Sequence, residues 1–202
     1  MKKLFLSATI VISLLSINSM AKTEGNYLGV TLNKSISQAR FVHNSGEGAS
    51  NNKYDESVGL GVNYCRAFNS EGLFIAPGIT YETIGAKIST RNDNTTIKLN
   101  NLYGIKTDFG YDVSEKVSLY VPLTFGKMSY KIEGDLLSVG NKSGATSFIS
   151  YGLGASIASS SGAIGTIEIS RIEPTNFKAN SDESYKVQAA TYMLKFGVGY
   201  HF

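Results

Sequence analysis

The sequence predicts an all-β protein, an eight-stranded antiparallel up-and-down transmembrane β-barrel. Three observations lead to this prediction: an export signal at the N-terminus, eight segments in which apolar and polar residues alternate, and connections that alternate between short turns and long loops. After the export signal, no apolar run has the length of a membrane-spanning helix. Such a chain can cross a membrane only as a closed barrel, because its backbone polar groups must pair within the protein.

The first segment, residues 1–21, has the composition of a secretory signal peptide. Two lysines precede an apolar run at residues 4–17, and the small residues Ser19 and Ala21 stand at positions −3 and −1 of a cleavage site. The run is shorter than the roughly 18 residues that a membrane-spanning helix needs. We therefore expect cleavage after Ala21, which leaves residues 22–202 as the barrel.

The composition limits what the exported part can do. The chain carries 19 Lys and Arg against 16 Asp and Glu, and loss of the two signal-peptide lysines leaves a net charge of +1. This balance argues against a nucleic-acid-binding protein, which needs a clustered basic excess. The 21 Gly, 12 Tyr and 10 Phe are typical of β-barrels, and the single Cys65 can form no internal disulfide.

Seven segments before the C-terminus alternate with period two. In each of them, one face is mostly Leu, Ile, Val, Tyr or Phe, and the other is mostly Gly, Ser, Thr, Asn or charged. Pro77 and Pro122 lie inside two of these segments, where each removes a hydrogen-bond donor, and we expect bulges there. The predicted strands are 27–35, 57–68, 73–82, 96–111, 116–126, 147–158 and 163–171.

The eighth strand ends the chain and alternates most clearly. One face of this strand carries small, polar or charged residues, namely His201, Gly199, Gly197 and Lys195. In a soluble barrel the large apolar residues point inward and fill the core. Here the alternation predicts lipid outside and a tight polar lumen inside. The apolar face consists of Tyr192, Leu194, Phe196, Val198, Tyr200 and Phe202.

The connections fall into two classes. Three are short and rich in Asn, Asp, Ser and Gly: 69–72, 112–115 and 159–162. Four are long and polar: 38–56, 85–95, 133–146 and 172–184. If both chain ends lie in the periplasm, all three turns lie on that side and all four loops lie outside, as in outer-membrane barrels.

Over residues 22–202, the chain resembles the small eight-stranded outer-membrane barrels of the OmpA transmembrane domain, OmpX and Opa type. Its last strand is similar to their C-terminal assembly signal, which the barrel-insertion machinery reads; the corresponding residues are Phe196, Val198, Tyr200 and Phe202. The resemblance implies a monomer in the bacterial outer membrane, with the lipid bilayer and the insertion machinery as partners. The alternative is a soluble periplasmic barrel of lipocalin type.

Alternation also places six ionisable side chains in the lumen, three acids and three bases. Unpaired charges in so narrow an interior cost several kcal/mol each, so we expect them to pair, Lys195 with Glu168 among them. We interpret the set as an internal salt-bridge network that closes the barrel; the alternative is a narrow ion path. The six residues are Glu82, Lys98, Lys106, Asp108, Glu168 and Lys195.

The sequence offers no catalytic, cofactor or metal site. Barrel lipases and lipid A deacylases, which this fold class resembles, use a His with a nearby Ser nucleophile. The two histidines here are His43, near Ser45 in the first loop but with no obvious orienting carboxylate, and His201, which has no Ser beside it. Two distant histidines and Cys65 cannot form a zinc site. We therefore expect a protein that is not an enzyme.

The long loops carry the remaining chemical variety. Members of the family that the chain resembles include host-cell adhesins and serum-resistance factors. The resemblance implies a surface protein whose loops 38–56, 85–95, 133–146 and 172–184 recognise or adhere to a host or environmental macromolecule. Two alternatives stay open: a structural barrel of the envelope, and a narrow ion-conducting, porin-like channel.

Overall fold

The computed structural model describes residues 24–43, 55–89, 96–133, 142–174 and 185–202. Within these residues, the chain forms eight β-strands joined by turns. None of the described residues belongs to a helix long and apolar enough to cross a membrane. The strands are β1 Gly25–His43, β2 Asp55–Ser70, β3 Leu73–Ser89, β4 Thr96–Asp112, β5 Val117–Glu133, β6 Lys142–Ala158, β7 Ala163–Pro174 and β8 Tyr185–His201.

The strands form one closed barrel in chain order. Every strand is antiparallel to its neighbours, and β1 closes the barrel against β8 in a continuous register from Tyr27–His201 to His43–Tyr185. Next to this ladder, Asn26 and Phe202 exchange two backbone hydrogen bonds of 2.9 Å. The predicted fold class, an eight-stranded antiparallel up-and-down barrel, is confirmed.

The outer face of the barrel carries a continuous apolar belt, which we call the lipid belt. Leu60 and Leu153, for example, are 65% and 71% exposed. This exterior is the opposite of a soluble lipocalin-type barrel, whose large apolar side chains point inward, and it excludes that alternative. Exposed aromatic rings mark the two edges of the belt: Tyr81, Tyr103, Tyr151 and Tyr192 at one, and Phe68, Tyr111, Tyr200 and Phe202 at the other.

The three short connections lie at one end of the barrel, which we call the turn end. Between β2 and β3, only Glu71 and Gly72 separate the strands, with φ of 54° and 87°. Two successive residues with positive φ are what a two-residue hairpin turn of type I′ requires. The Asn69 side-chain oxygen accepts a hydrogen bond from the Gly72 N–H at 3.2 Å and holds this turn closed. The opposite end of the barrel is called the loop end.

The strands continue further towards the loop end than the sequence predicted. Most have 16 to 19 residues, as β2 and β1 do, whereas about 9–11 residues cross a membrane. The predicted loops 38–56, 85–95, 133–146 and 172–184 therefore overlap strands and need correction. Alternation did not reveal the extra strand length because the outward side chains of these strand ends do not face lipid. They therefore need not be apolar. The parts at 44–54, 90–95, 134–141 and 175–184 lie outside the described residues.

Neither proline marks a bulge, contrary to the prediction. The β2–β3 ladder skips the positions around Pro77, and the β5–β6 ladder skips those around Pro122, but the register is the same on both sides of each gap. The missing donor thus interrupts one ladder locally without adding a residue. The register shifts lie elsewhere, between Thr83 and Ala86 on β3 and between Leu99 and Leu102 on β4.

The interior is filled in three layers, and the predicted tight polar lumen is found in the middle layer only. A middle layer of buried polar and charged side chains separates two apolar clusters. The lower plug, towards the turn end, is formed by Tyr27, Cys65, Ala67, Phe74, Ala76, Tyr120 and Ile164. The upper plug, towards the loop end, is formed by Ile84, Ala86, Ile97, Leu99, Leu102, Met128, Tyr130, Ile132, Phe148, Ile172 and Met193.

Candidate functional site

The middle layer of the lumen brings five of the six predicted ionisable residues together. Glu168 on β7 lies at the centre of the cluster: its Oε2 accepts a hydrogen bond from Lys106 Nζ at 2.8 Å, and its Oε1 lies 3.0 Å from Lys195 Nζ. Lys195 also donates to Glu82 Oε1 at 2.7 Å, and Lys106 Nζ lies 3.3 Å from Asp108 Oδ1. Strands β3, β4, β7 and β8 thus supply one continuous network, the lumen charge network.

Burial makes these pairs different from surface ion pairs. The side chains of Lys106, Lys195 and Glu168 are 13%, 8% and 4% exposed. A buried charge must be paired and hydrogen bonded, because its desolvation is expensive. The small residues around the network leave room for these long side chains: Gly78 is the register partner of Lys106, and Gly154 that of Glu168.

Lys98 is the exception, and its predicted place in the lumen is wrong. Its Nζ lies 2.5 Å from the Glu133 carboxylate on the outer surface at the loop end. Its strand neighbours, Ile97 and Leu99, are 0% and 1% exposed and point inward. One extra residue in β4, at the register shift between Leu99 and Leu102, moves the alternation by one position. Without Lys98, the network holds three carboxylates and two ammonium groups.

The network lines a cavity of about 20 Å³. Tyr120 closes one side of it, and its ring centroid lies 5.6 Å from Lys106 Nζ. Hydroxyl groups of Thr31, Thr80 and Thr166 belong to the same lining. A cavity of this size has room for about one water molecule, and a site lined by so many polar groups suits one.

Sequence reasoning missed one buried polar group beside the network. Asn33 on β1 is 0% exposed, and neither atom of its carboxamide hydrogen bonds to another described residue. It is the register partner of Lys195 and of Gly59, so it faces the same layer from β1. The alternation in the first strand places Asn33 on the inward face, and the barrel closure places it opposite Lys195. These two facts could have identified Asn33 as part of the middle layer.

The arrangement can hold charge but offers little chemistry. Among the described residues, no group of three His, Cys, Asp or Glu could hold a metal ion. His201 lies at the turn end, where its ring packs against Gly25. The side chain of His43 lies outside the described residues, and so does Ser45.

The four residues of the predicted assembly signal, three on β8 and Phe202 directly after it, are all exposed on the outer face. Phe196, Val198, Tyr200 and Phe202 are 52%, 43%, 54% and 63% exposed. Their strand is paired on both sides, with β7 and with β1. These apolar side chains therefore belong to the lipid belt at the seam where the barrel closes.

A family model decides the identity of this fold. The model, described as an outer membrane protein β-barrel domain, matches residues 7–202. The chain belongs to the outer membrane β-barrel family. The protein is thus a barrel of the bacterial outer membrane. In outer membrane barrels, short turns face the periplasm and longer loops face the outside, which assigns the turn end and the loop end.

Solved structures of other outer membrane barrels are similar in fold. The outer membrane protease OmpT of Escherichia coli is 11% identical with a TM-score of 0.50, over 93% of this chain and 100% of that one. The outer membrane protein AlkL is 14% identical with a TM-score of 0.50, over 92% and 93%. Ail, the attachment invasion locus protein of Yersinia pestis, is 18% identical with a TM-score of 0.43, over 89% and 100%. No curated protein matches the sequence. At these identities the likeness to OmpT and AlkL shows the fold alone.

Proposed function

We propose that this outer membrane barrel is a monomeric, non-enzymatic surface protein whose loops recognise a macromolecule outside the cell. The observation that carries the proposal is the sealed lumen. The barrel interior is occupied by the two plugs and the lumen charge network, so the exterior of the loop end is the part left for interaction. We further propose that residues 1–21 are a signal peptide that is cleaved on export.

The plugs argue against transport and against a catalytic cavity in the lumen. Ile84, Leu99 and Met128 of the upper plug are at most 1% exposed, so they pack without a channel between them. The cavity below them, about 20 Å³, is far smaller than the roughly 300–1,000 Å³ of a small-molecule pocket. Passage of a solute would require the plugs and the ion pairs to separate together.

The loop end is built as a stiff support. Above the Tyr81–Tyr103 edge of the lipid belt, the strands continue as a part that we call the collar, and the upper plug packs against its inner face. An ion pair joins two strands on its outer face: Lys98 Nζ on β4 lies 2.5 Å from the Glu133 carboxylate on β5. Recognition in proteins is commonly carried by loops on such a rigid scaffold.

The test is display of the barrel on a non-adherent bacterium, with loops intact or shortened. Shortening is restricted to 44–54 and 175–184, because the adjoining parts of 38–56 and 172–184 belong to strands. We expect binding to host cells or matrix macromolecules with the full barrel and at least a tenfold loss with the shortened one. Heat-modifiable migration in detergent gels serves as the control that both proteins have folded.

Two rivals give different results. For a structural role in the envelope, neither barrel confers binding, and removal of the gene makes the envelope leaky. For a narrow channel, binding is also absent, but the purified barrel conducts ions across a planar bilayer. N-terminal sequencing of the mature protein tests the signal peptide, since cleavage after Ala21 would leave Lys22 as the first residue.

A further inference from the structure

Three lysines stand directly opposite one another on the outer face of the collar. Lys87 on β3 is the register partner of Lys98 on β4, which is the register partner of Lys131 on β5. Ala86, Leu99 and Ile132, which adjoin them in sequence, are buried, so all three lysines lie on the outward face. Like charges opposite each other in a sheet are destabilising. We call this arrangement the lysine row.

The carboxylates near the row do not balance it. Glu133 lies 2.5 Å from Lys98 Nζ and 2.8 Å from Lys131 Nζ. Asp55 accepts a hydrogen bond from the backbone N–H of Lys87. A fourth lysine, Lys127, faces the same wall, and its Nζ donates to the Ser147 hydroxyl at 3.0 Å. Among the described residues, four ammonium groups therefore face two carboxylates across β3 to β5.

Towards the loop end, the other charged side chains that the structure describes on the outer wall are paired one to one. Lys34 on β1 lies 2.8 Å from Glu56 on β2, and Arg171 on β7 lies 2.7 Å from Glu173. Among these described side chains, the excess positive charge is thus confined to one side of the barrel. General attraction between lysines and a membrane surface would not favour one side, so the concentration on three strands calls for a localised anion.

Lys127 lies at the lower edge of the outer headgroup zone, and the lysine row lies just above this zone. Lys127 is the register partner of Tyr103, which marks the edge of the lipid belt. Lys131 is four residues further along the same strand, about 10 Å higher for a strand with the usual rise and barrel tilt. The headgroup zone on each side of a bilayer is about 5–7 Å thick, and flexible lysine side chains can reach down into it.

We propose that the lysine row, with Lys127 below it, binds the phosphate groups of a phosphorylated glycolipid headgroup in the outer leaflet. Opposite side chains on paired strands start about 5 Å apart, so two ammonium groups can donate to oxygens of one phosphate. Lys127 then reaches a second anionic group nearer to the lipid belt, while the acyl chains of the same molecule lie against the apolar wall below. The phosphate charge also relieves the repulsion within the row.

The test uses the full mature barrel, refolded in a neutral detergent and examined by native mass spectrometry. The probes are bisphosphorylated lipid A, the same lipid with both phosphates removed, and inorganic phosphate. The variant is Lys87→Gln/Lys98→Gln/Lys131→Gln. The matched control is Lys34→Gln, which removes an outward lysine on β1, outside the row, that pairs with Glu56. Because all these side chains lie on the surface, folding is expected to persist, and heat-modifiable migration checks it.

We expect the parent barrel and Lys34→Gln to bind bisphosphorylated lipid A at least tenfold more tightly than the dephosphorylated lipid. The triple variant should lose this preference, and salt should weaken binding only where the row is intact. Equal binding by the triple variant and the control would overturn the proposal, as would equal binding of the two lipids. If inorganic phosphate binds as tightly as bisphosphorylated lipid A, the site holds a soluble anion and the lipid assignment is wrong.

Discussion

Glu82 and Lys195 are 113 positions apart in the chain, yet their side chains meet in the middle of the barrel with Oε1 2.7 Å from Nζ. Their strands, β3 and β8, are not neighbours in the barrel wall. The contact therefore crosses the lumen and joins two strands that β1 and β2 separate in the wall. Glu168 on β7 then connects Lys195 to Lys106, so that the wall is tied together through its interior as well as around its circumference.

Replacement of Glu168 by Gln should destabilise the barrel strongly. The variant leaves Lys106 and Lys195 buried with fewer carboxylates, and breaking a buried ion pair from one side costs about 3–5 kcal/mol. The free energy of unfolding, measured by urea titration in lipid vesicles, should fall by this amount. The double variant Lys195→Met/Glu168→Leu should lose less, because it removes one charge of each sign. Equal losses in the two variants would show that the ion pair has no such role.

The matched control for this measurement is Glu56→Gln. Glu56 also pairs with a lysine at 2.8 Å, but the two side chains are 55% and 62% exposed. Exposed pairs contribute little to stability because water screens them. The control should therefore unfold at nearly the parent urea concentration.

Trimming of the upper plug should weaken the barrel and open it to ions. Leu99→Ala creates a cavity in a packed interior, which costs about 2–5 kcal/mol. In planar bilayers, we expect no large conductance steps from the parent barrel and measurable ones from Leu99→Ala/Met128→Ala. Leu60→Ala, on the lipid face, is the control and should behave like the parent. Large steps from the parent barrel itself would support the channel alternative.

The end of β8 should be needed for assembly. Deletion of Phe202, or Tyr200→Asp, removes or charges an outward side chain at the closing seam, and charge on the lipid face is unfavourable. The folded fraction, seen as heat-modifiable migration after expression, should fall in both variants, whereas Tyr200→Phe should assemble normally. Normal assembly of both damaged variants would contradict the placement of this face in lipid.

Glu133 should remain ionised in acid. Hydrogen bonds from Lys131 and Lys98 on the collar lower the pKa of its carboxyl to about 2, from an ordinary 4.5. A carboxyl whose pKa is lowered by folding stabilises the folded state above the unfolded value, and this contribution is lost as pH falls from about 4.5 to 2. An NMR titration of Glu133 should have its midpoint near pH 2 in the parent. In Lys98→Gln/Lys131→Gln, the midpoint should return towards 4.5; an unchanged midpoint would show that the lysines are not the cause.

The fold followed from the sequence because alternation over eight segments is a strong signal where lipid lies outside. The outward placement of Leu60, Leu153 and Phe196 depends only on parity and agrees with the structure. The strand ends near the loop end could not be found in the same way. There the outer face is polar and the inner face apolar, so the rule that identified the strands no longer applies.

The candidate site shows the same limit. Lys106, Asp108, Glu168 and Lys195 could be placed in the lumen from parity alone. Lys98 could not be placed in this way, because one added residue in β4 exchanges the inward and outward faces. Odd positions are apolar on both sides of the added residue, but Ile97 and Leu99 point inward whereas Tyr103 and Ile105 point outward. The contact between Glu82 and Lys195 depends on the closure of the whole barrel and has no local signature.

Strand β5 carries no such extra residue, and its sequence therefore marks the position of the membrane surface. Up to Phe125, its odd positions are apolar and face lipid; from Met128, its even positions are apolar and face the upper plug, while Lys127 and Lys131 face outward. The hydrophobic phase changes within three residues, although the strand continues without interruption. When the apolar residues move from odd to even positions inside an unbroken strand, the sequence alone can thus locate the membrane surface along that strand. The position is fixed to within about two residues, the period of the side-chain alternation.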